Sequence, residues 1–156
     1  MTQPIPEGYQ SVTPIFIFKD ARKAIDFYKQ ALDAHERMIV PGPNGKGIMH
    51  AEIQVGSSII MIGEENPQQE CRSPETLGGS PISLYMYVQD VDKSFRRALE
   101  AGAQERMPVQ DMFWGDRIGA IQDPFGYSWT LATHTKDPTP EEIRKGAEEA
   151  CNQAVK

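Results

Sequence analysis

Hydrophobic and polar residues follow two different rhythms along the chain. From Met49 to Val55 they alternate one by one, which is typical of a strand with one buried face. Between Asp20 and Ala34 the apolar residues recur every three or four positions, which predicts a helix that packs one stripe on a sheet. Asp20 stands where an N-cap is needed. The chain is therefore predicted to be an α+β protein.

The predicted elements run twice in the same order. The first set comprises a strand at 12–18, the helix after Asp20, and strands at 36–40, 48–55 and 57–62. The second set comprises a strand at 82–88, a helix from Asp90 to Ala101, and later strands that include 118–122 and 127–133. The triplet Glu36-Arg37-Met38 recurs as Glu105-Arg106-Met107, 69 residues later. This regular offset indicates two βαβββ modules.

We expect a single domain over residues 1–156. Its parts are module 1 at 11–63, a linker at 64–81, module 2 at 82–135 and a C-terminal helix at 139–154. Thr139-Pro140-Glu141-Glu142 fits a capping box for that helix. Each module has a helix for only one face of its sheet, so the free faces are predicted to form a cupped mixed or antiparallel sheet around a cavity.

The segment Asp123-Pro124-Phe125-Gly126 has the composition of a hairpin turn between two of these strands. In the strand that follows, Trp129 and Leu131 point one way and Thr130 the other. The first two are predicted to lie in the core. Thr130, with its small neighbours, is predicted to lie on the cavity floor.

The composition excludes several classes of function. The net charge of −6 comes from 16 basic and 22 acidic residues without a basic cluster, which argues against nucleic-acid and anionic-membrane partners. No apolar run reaches the length of a membrane span and no signal peptide is recognisable, so we expect a cytoplasmic protein. The two cysteines, Cys71 and Cys151, have no partner motif.

Several motifs resemble the vicinal oxygen chelate superfamily, which includes glyoxalase I, bleomycin-resistance proteins, fosfomycin-resistance enzymes and extradiol dioxygenases. They are the helix opening at Ala24-Ile25-Asp26-Phe27-Tyr28 and the final Asp-Pro-Phe-Gly hairpin. Met49-His50-Ala51-Glu52 and Trp114-Gly115-Asp116-Arg117 look most like the PhnB-like branch. The resemblance covers about residues 11–134, and it implies a homodimer. Members of the superfamily commonly build cavities between modules of two chains, and the sequence leaves open whether the modules pair within one chain or across two.

The resemblance also implies positions for a divalent metal on the cavity face. They fall near Thr13, Ile60, Ser83 and Thr130. None of these side chains is a good ligand, so no cofactor is expected. A relocated divalent-metal site on His50 and Glu52 is the alternative, and it would need a third ligand that neither His35 nor His134 readily supplies.

Three polar residues, His50, Glu52 and Gln54, share the cavity face of the third strand. Neighbouring members of this set lie about 7 Å apart along the strand. Glu52 can serve as a base or an anion partner, and His50 as a donor or proton shuttle. The alternative is a hydrogen-bonded pair on a partly hydrated sheet face.

Further candidates for a ligand pocket lie in module 2. Tyr85 and Tyr87 share a face with Ser83, and their rings can stack on a ligand or simply pack against neighbours. Trp114 and Arg117 surround a loop at the expected cavity mouth. Arg117 can clamp a ligand carboxylate or phosphate, or it can pair with Asp116, Asp111 or Glu52. The predicted pocket thus consists of Gln54, Ser83, Tyr85, Tyr87, Trp114, Arg117 and Thr130.

Two functions follow from these predictions. The first is a small-molecule-binding protein without the usual metal site, which sequesters an aromatic or polar organic ligand. The second is an enzyme of the lyase or isomerase kind that uses Glu52 and His50 for proton transfer, or a relocated metal. The sequence contains no phosphate-binding loop, dinucleotide fingerprint or nucleophile elbow, so it does not support phosphoryl-transfer, hydride-transfer or nucleophilic chemistry.

Overall fold

Two four-stranded mixed sheets form the framework of the protein, which we describe from a computed structural model covering residues 2–154. The first sheet has the order β1-β4-β3-β2, with β1 at Ile15–Phe18, β2 at His35–Pro41, β3 at Ile48–Val55 and β4 at Ser58–Glu64. The second has the order β5-β8-β7-β6, with β5 at Ser83–Tyr87, β6 at Gln104–Asp111, β7 at Asp116–Gln122 and β8 at Ser128–His134. In each sheet the first strand is parallel to the last, and the other pairs are antiparallel. This repeated order confirms the two βαβββ modules.

Each module carries one long helix, and both helices start in the same way. In α1 (Ala21–Ala31) the Asp20 side chain accepts a hydrogen bond from the Lys23 amide at 3.1 Å. In α3 (Val91–Glu100) the Asp90 side chain accepts one from the Lys93 amide at 3.0 Å. The predicted N-caps are therefore confirmed.

The end of α1 differs from the prediction. The sequence pattern extends to Ala34, but the helix ends at Ala31. Leu32 is already outside the helical region and Asp33 has a φ of 56°, a left-handed conformation that stops the helix. The first strand is likewise shorter than predicted, because it starts at Ile15 rather than Val12.

The linker contains local structure of its own. It includes a 3-10 turn at Pro67–Gln69 and the short helix α2 (Pro74–Leu77). One carboxylate oxygen of Glu65 accepts hydrogen bonds from the Ser73 amide at 2.8 Å and from the Ser73 and Thr76 hydroxyls at 2.6 and 2.5 Å. These donors lower the pKa of Glu65 to about 2. The negative charge thus helps to hold the polar connection in one conformation.

The C-terminal helix, α4 (Pro140–Ala154), begins with the predicted capping box. The Glu142 carboxylate accepts from the Thr139 amide at 2.7 Å, and the Glu142 amide donates to the Thr139 hydroxyl at 3.3 Å. A side chain at Gly146 would lie 2.5 Å from the Cβ of Phe113, so glycine permits the helix to approach the loop before β7. None of the helices within residues 2–154 is both long and apolar enough to cross a lipid bilayer.

The two modules share one core, which lies on the helix-bearing sides of both sheets. The Phe16 ring of module 1 stacks on the Tyr127 ring of module 2, with 4.0 Å between centroids. The Tyr127 hydroxyl also bonds to both backbone groups of Ile17, at 3.0 and 3.1 Å. Residues predicted for the core are buried as expected: Phe16, Phe18, Ile25, Phe95, Trp129 and Leu131.

Candidate functional site

The side of each sheet that faces away from its helix carries the polar residues of interest. We call this side the outer face of the module. In module 1, strand register places His50, Glu52 and Gln54 on the outer face, where Glu52 lies beside Met61. In module 2, the outer face carries Ser83, Tyr85 and Tyr87 of β5, and Tyr85 lies beside Thr130 of β8. The predicted alternation on these strands agrees with the register.

A buried carboxylate organises the outer face of module 2. Asp116 is only 3% exposed, and one of its oxygens accepts hydrogen bonds from the Tyr85 and Tyr87 hydroxyls at 2.7 and 3.0 Å. Its other oxygen lies 2.7 Å from Nδ1 of His134, whose Nε2 is 2.9 Å from an Asp137 oxygen. We name Asp116, Tyr85, Tyr87 and His134 the Asp116 cluster. Its four members come from three strands, β5, β7 and β8.

The hydrogen bonds within the Asp116 cluster stabilise particular protonation states of its members. Burial disfavours the ionised form of Asp116, but hydrogen bonds from His134 and the two tyrosines outweigh it, so the pKa of Asp116 is lowered. Hydrogen bonds to Asp137 and Asp116 raise the pKa of His134. Burial and the bond to Asp116 raise the pKa of Tyr85 to about 12. The cluster therefore consists of a carboxylate, two neutral phenols and an imidazole that readily accepts a proton.

Two aromatic rings from the loop before β7 border this cluster. The indole nitrogen of Trp114 lies 3.4 Å from the Tyr85 hydroxyl, and the Phe113 ring meets the indole edge-on with centroids 4.9 Å apart. Gly115 has a φ of 97°, and any side chain there would collide with the Lys136 carbonyl and Pro138. Glycine is thus required for the loop to bring Trp114 next to β5.

Two clefts reach the Asp116 cluster. The larger, about 880 Å³, lies at the junction of α1 and α3 and is bordered by Tyr87 and His134. The smaller, about 310 Å³, lies between the two modules and is bordered by Tyr85 and Tyr87. Neither cleft is lined by Glu52, His50 or Gln54. These two clefts therefore border the Asp116 cluster and not the predicted catalytic pair.

The second polar group is centred on Glu52, on the outer face of module 1. Glu52 is 6% exposed, and one carboxylate oxygen accepts a hydrogen bond from the Tyr9 hydroxyl at 2.5 Å. The other oxygen lies 3.3 Å from Nε2 of His50, so the structure brings the predicted pair together. The N-terminal segment before β1 covers this carboxylate. The hydrogen bond from Tyr9 is the main cause of a lowered pKa for Glu52.

Two other predicted pocket residues, Arg117 and Gln54, bond to groups outside the Asp116 cluster and Glu52. Arg117 lies on the helix-facing side of β7, where it binds both oxygens of Asp92 at 2.8 Å and one oxygen of Asp111 at 3.3 Å. Its predicted pairing with Asp111 is thereby confirmed. The side chain of Gln54 donates to the Gly56 carbonyl at 3.2 Å.

Three contributors to these sites are absent from the predicted pocket. A strand that starts at Ile118 leaves Asp116 in the preceding loop as a partner for Arg117; the strand starts two residues earlier, and this places Asp116 on the outer face. His134 continues the alternation of Thr130 along β8, which the sequence shows. Tyr9 lies outside any strand or helix, so no periodic pattern indicated its contact with Glu52.

The donor set does not fit the divalent metal that the superfamily resemblance implies. Ile60 faces the helix side opposite Ile53, which corrects its predicted placement on the cavity face. The outer-face pairs of first and last strands are instead Ile15 with Met61, and Tyr85 with Thr130. These side chains offer thioether and hydroxyl groups rather than imidazole or carboxylate. Within residues 2–154, no group of three or more His, Cys, Asp or Glu side chains is arranged to hold a metal ion.

Comparison with known proteins identifies the class that this fold defines. The sequence profile of the Glyoxalase/Bleomycin resistance protein/Dioxygenase superfamily matches residues 12–131. An uncharacterized protein of Mycobacterium bovis is 39% identical over 137 residues, which cover 86% of this chain and 90% of the relative. The chain therefore belongs to the Glyoxalase/Bleomycin resistance protein/Dioxygenase superfamily.

Solved structures share the fold. TioX from Micromonospora sp. ML1 is 26% identical with a TM-score of 0.61, and the match covers 80% of this chain and 99% of TioX. A PhnB protein from Bacillus cereus is 22% identical with a TM-score of 0.60, and the match covers 80% of this chain and 99% of that protein. The predicted fold and the predicted likeness to PhnB proteins are thus confirmed.

Proposed function

We propose that the protein binds a small organic molecule with aromatic and polar groups at the Asp116 cluster. The observation that carries this proposal is a buried, fully hydrogen-bonded carboxylate beside exposed aromatic rings and two open clefts. Tyr87 is 62% exposed although it lies in a strand, so its ring offers apolar surface to a partner. Trp114 and Tyr85 supply further aromatic surface for stacking.

The proposed ligand meets the cluster through the aromatic rings and through the Tyr87 hydroxyl, whose oxygen can accept a hydrogen bond. His134 holds the cluster together rather than binding the ligand directly, because both of its ring nitrogens are bonded to the Asp116 and Asp137 carboxylates. The net charge of −6 argues against nucleic acid and anionic membrane surfaces as partners. A cytoplasmic location stays a prediction.

The enzyme alternative rests on the contact between His50 and Glu52. Proton abstraction requires a carboxylate that holds a proton well near neutral pH. The hydrogen bond from Tyr9 lowers the pKa of Glu52 and so makes it a weaker base. This favours binding over proton transfer as the function of the chain.

A homodimer is part of the proposal. The edge strands β1 and β5 each expose apolar residues, with Ile15 at 65% and Tyr87 at 62% exposure. Exposed edges of this kind pair readily with another strand or chain. A dimer that joins β1 of one protomer with β5 of its partner would place the Glu52 and Asp116 groups on the walls of one cavity.

Replacement of Trp114 tests the proposed ligand site. We expect a thermal-shift screen of aromatic metabolites and antibiotics to find a stabilising compound, and Trp114→Ala to weaken its binding by about tenfold, since loss of one stacked aromatic costs about 1.4 kcal/mol. The binding constant is measured by calorimetry. The unfolding temperature without ligand should stay nearly unchanged, because Trp114 is not part of the shared core.

Met49→Ala provides a matched control, since Met49 is a large exposed residue of the other module. It should leave the affinity unchanged. A panel without any stabilising compound, or a Trp114→Ala variant that binds as tightly as the original protein, would contradict the proposed site.

A further inference from the structure

The N-terminal segment occupies the outer face of module 1. We call residues 2–12 the N-terminal arm. It contains no helix or strand, and Gly8 adopts a φ of 83° as the arm passes over Arg37 and Ile59. Ile59 faces outward on β4 yet is only 1% exposed. The arm lies against a surface that would otherwise be open.

Tyr9 makes the specific contacts of this arm. Its hydroxyl donates to Glu52, and the Arg37 guanidinium carbon lies 5.6 Å from the centre of its ring. One acceptor for the hydroxyl and one cation over the ring together define a site for a phenol. Within residues 2–154, no other hydrogen bond joins the arm to the sheets, so Tyr9 provides its one polar attachment.

We propose that the Glu52 face is a binding site for hydroxyaromatic molecules, and that Tyr9 is its intramolecular occupant. A ligand phenol would place its hydroxyl on Glu52 and its ring beside Arg37, and it would displace the arm. This inference rests on the proposed function and adds to it. It names a ligand class for the wall that module 1 would contribute to the cavity of the proposed dimer. The arm then competes with ligand and lowers its apparent affinity.

The chemistry of the site selects among aromatic ligands. Glu52 has a lowered pKa and is ionised at neutral pH, so it accepts a proton donor and repels a phenolate. Arg37 favours the electron-rich face of a ring over an aliphatic chain. A neutral phenol satisfies both requirements, whereas an aromatic hydrocarbon leaves the buried carboxylate without its donor.

Binding of 4-methylphenol, which reproduces the tyrosine side chain, tests the inference. In the full chain, Tyr9→Ala should bind 4-methylphenol about tenfold more tightly than the original protein, as expected if the arm covers the site about nine-tenths of the time. Calorimetry or ligand-observed NMR measures the affinity. 1,4-Dimethylbenzene, which lacks the hydroxyl, should show no such gain.

Two further variants make the test specific. Gln10→Ala alters a neighbouring arm residue whose side chain makes no hydrogen bond to the described residues 2–154, and it should bind 4-methylphenol like the original protein. Adding Glu52→Gln to Tyr9→Ala should abolish the gain. Tyr9→Phe, which removes only the hydroxyl, should give a smaller increase than Tyr9→Ala and guards against a folding defect.

Exposure of the arm provides a second measurement. Saturating 4-methylphenol should accelerate chymotryptic cleavage after Tyr9 in the original protein. Equal affinities for the original protein and Tyr9→Ala, or a gain that survives Glu52→Gln, would overturn the inference. The assay depends on Glu52, whereas the compound screen depends on Trp114, so failure of the inference is distinguishable from failure of the proposed function.

Discussion

At the scale of single residues, the Asp116 carboxylate is the shared acceptor of its cluster. Two phenols and one imidazole bond to it, and Asp137 holds the far side of the same imidazole. Removal of any one donor leaves the buried carboxylate with fewer hydrogen bonds to offset the free-energy cost of its burial. The charge state of His134 therefore depends on residues from two strands and from the segment after β8.

Substitution of Asp137 by Asn should lower the pKa of His134, because its hydrogen bond is the largest cause of the raised value. In the folded protein, that pKa should exceed the ordinary 6.5. The stability that His134 provides is thus fully present below pH 6.5 and is lost as pH rises through the folded value. NMR titration of the His134 ring measures the shift. Asp26→Asn, at an exposed position of α1, should have no effect on this titration, and an unaltered His134 in Asp137→Asn would contradict the assignment.

At the scale of secondary-structure elements, the hairpin between β7 and β8 joins the two modules. Asp123 is 4% exposed, and its oxygens accept from the Tyr28 hydroxyl at 2.5 Å and the Trp129 indole at 3.1 Å. It also accepts from the Phe125 and Tyr127 amides at 3.0 and 2.9 Å. One side chain thus fixes the turn and binds α1 of the other module.

Asp123→Ala should destabilise the fold by about 3 kcal/mol, because several buried donors lose their acceptor at once. Urea denaturation followed by tryptophan fluorescence measures the free energy of unfolding. Asp26→Ala, which removes an exposed carboxylate from α1, should change it by less than about 0.5 kcal/mol. Similar values for the two variants would show that the Asp123 contacts contribute little.

The same scale shows what the sequence could predict. Strand alternation, helix periodicity and the Asp caps are local signals, and the resulting order of elements agrees with the structure. To predict the Asp116 cluster, one must know the residue at which β7 starts and how three strands pair. A local sequence pattern determines neither. The contact of Arg117 with Asp92 likewise depends on β7 starting two residues earlier than predicted, because this start places Arg117 in the strand on the helix-facing side.

At the scale of the whole molecule, the exposed edge strands β1 and β5 are the surfaces through which we propose that the protein dimerises. We expect the protein to elute with twice its chain mass of 17.4 kDa in size-exclusion chromatography with light scattering. Ile15→Lys, which places a charge on the edge strand β1, should shift the protein to the monomer. Met49→Lys changes an equally exposed residue away from that edge and should remain dimeric. A monomeric original protein at every concentration would rule out the proposed dimer.

The junction between the modules also bears on how the repeat diverged. Tyr28 and Asp123 meet across it, but the equivalent residues of the opposite modules are Ala98 in α3 and Gly56, which directly follows β3 as Asp123 follows β7. The reciprocal contact therefore does not exist, and the two halves are no longer interchangeable. The two repeats are therefore complementary parts rather than copies of one unit, since each supplies one half of the contact that selects the other as its partner.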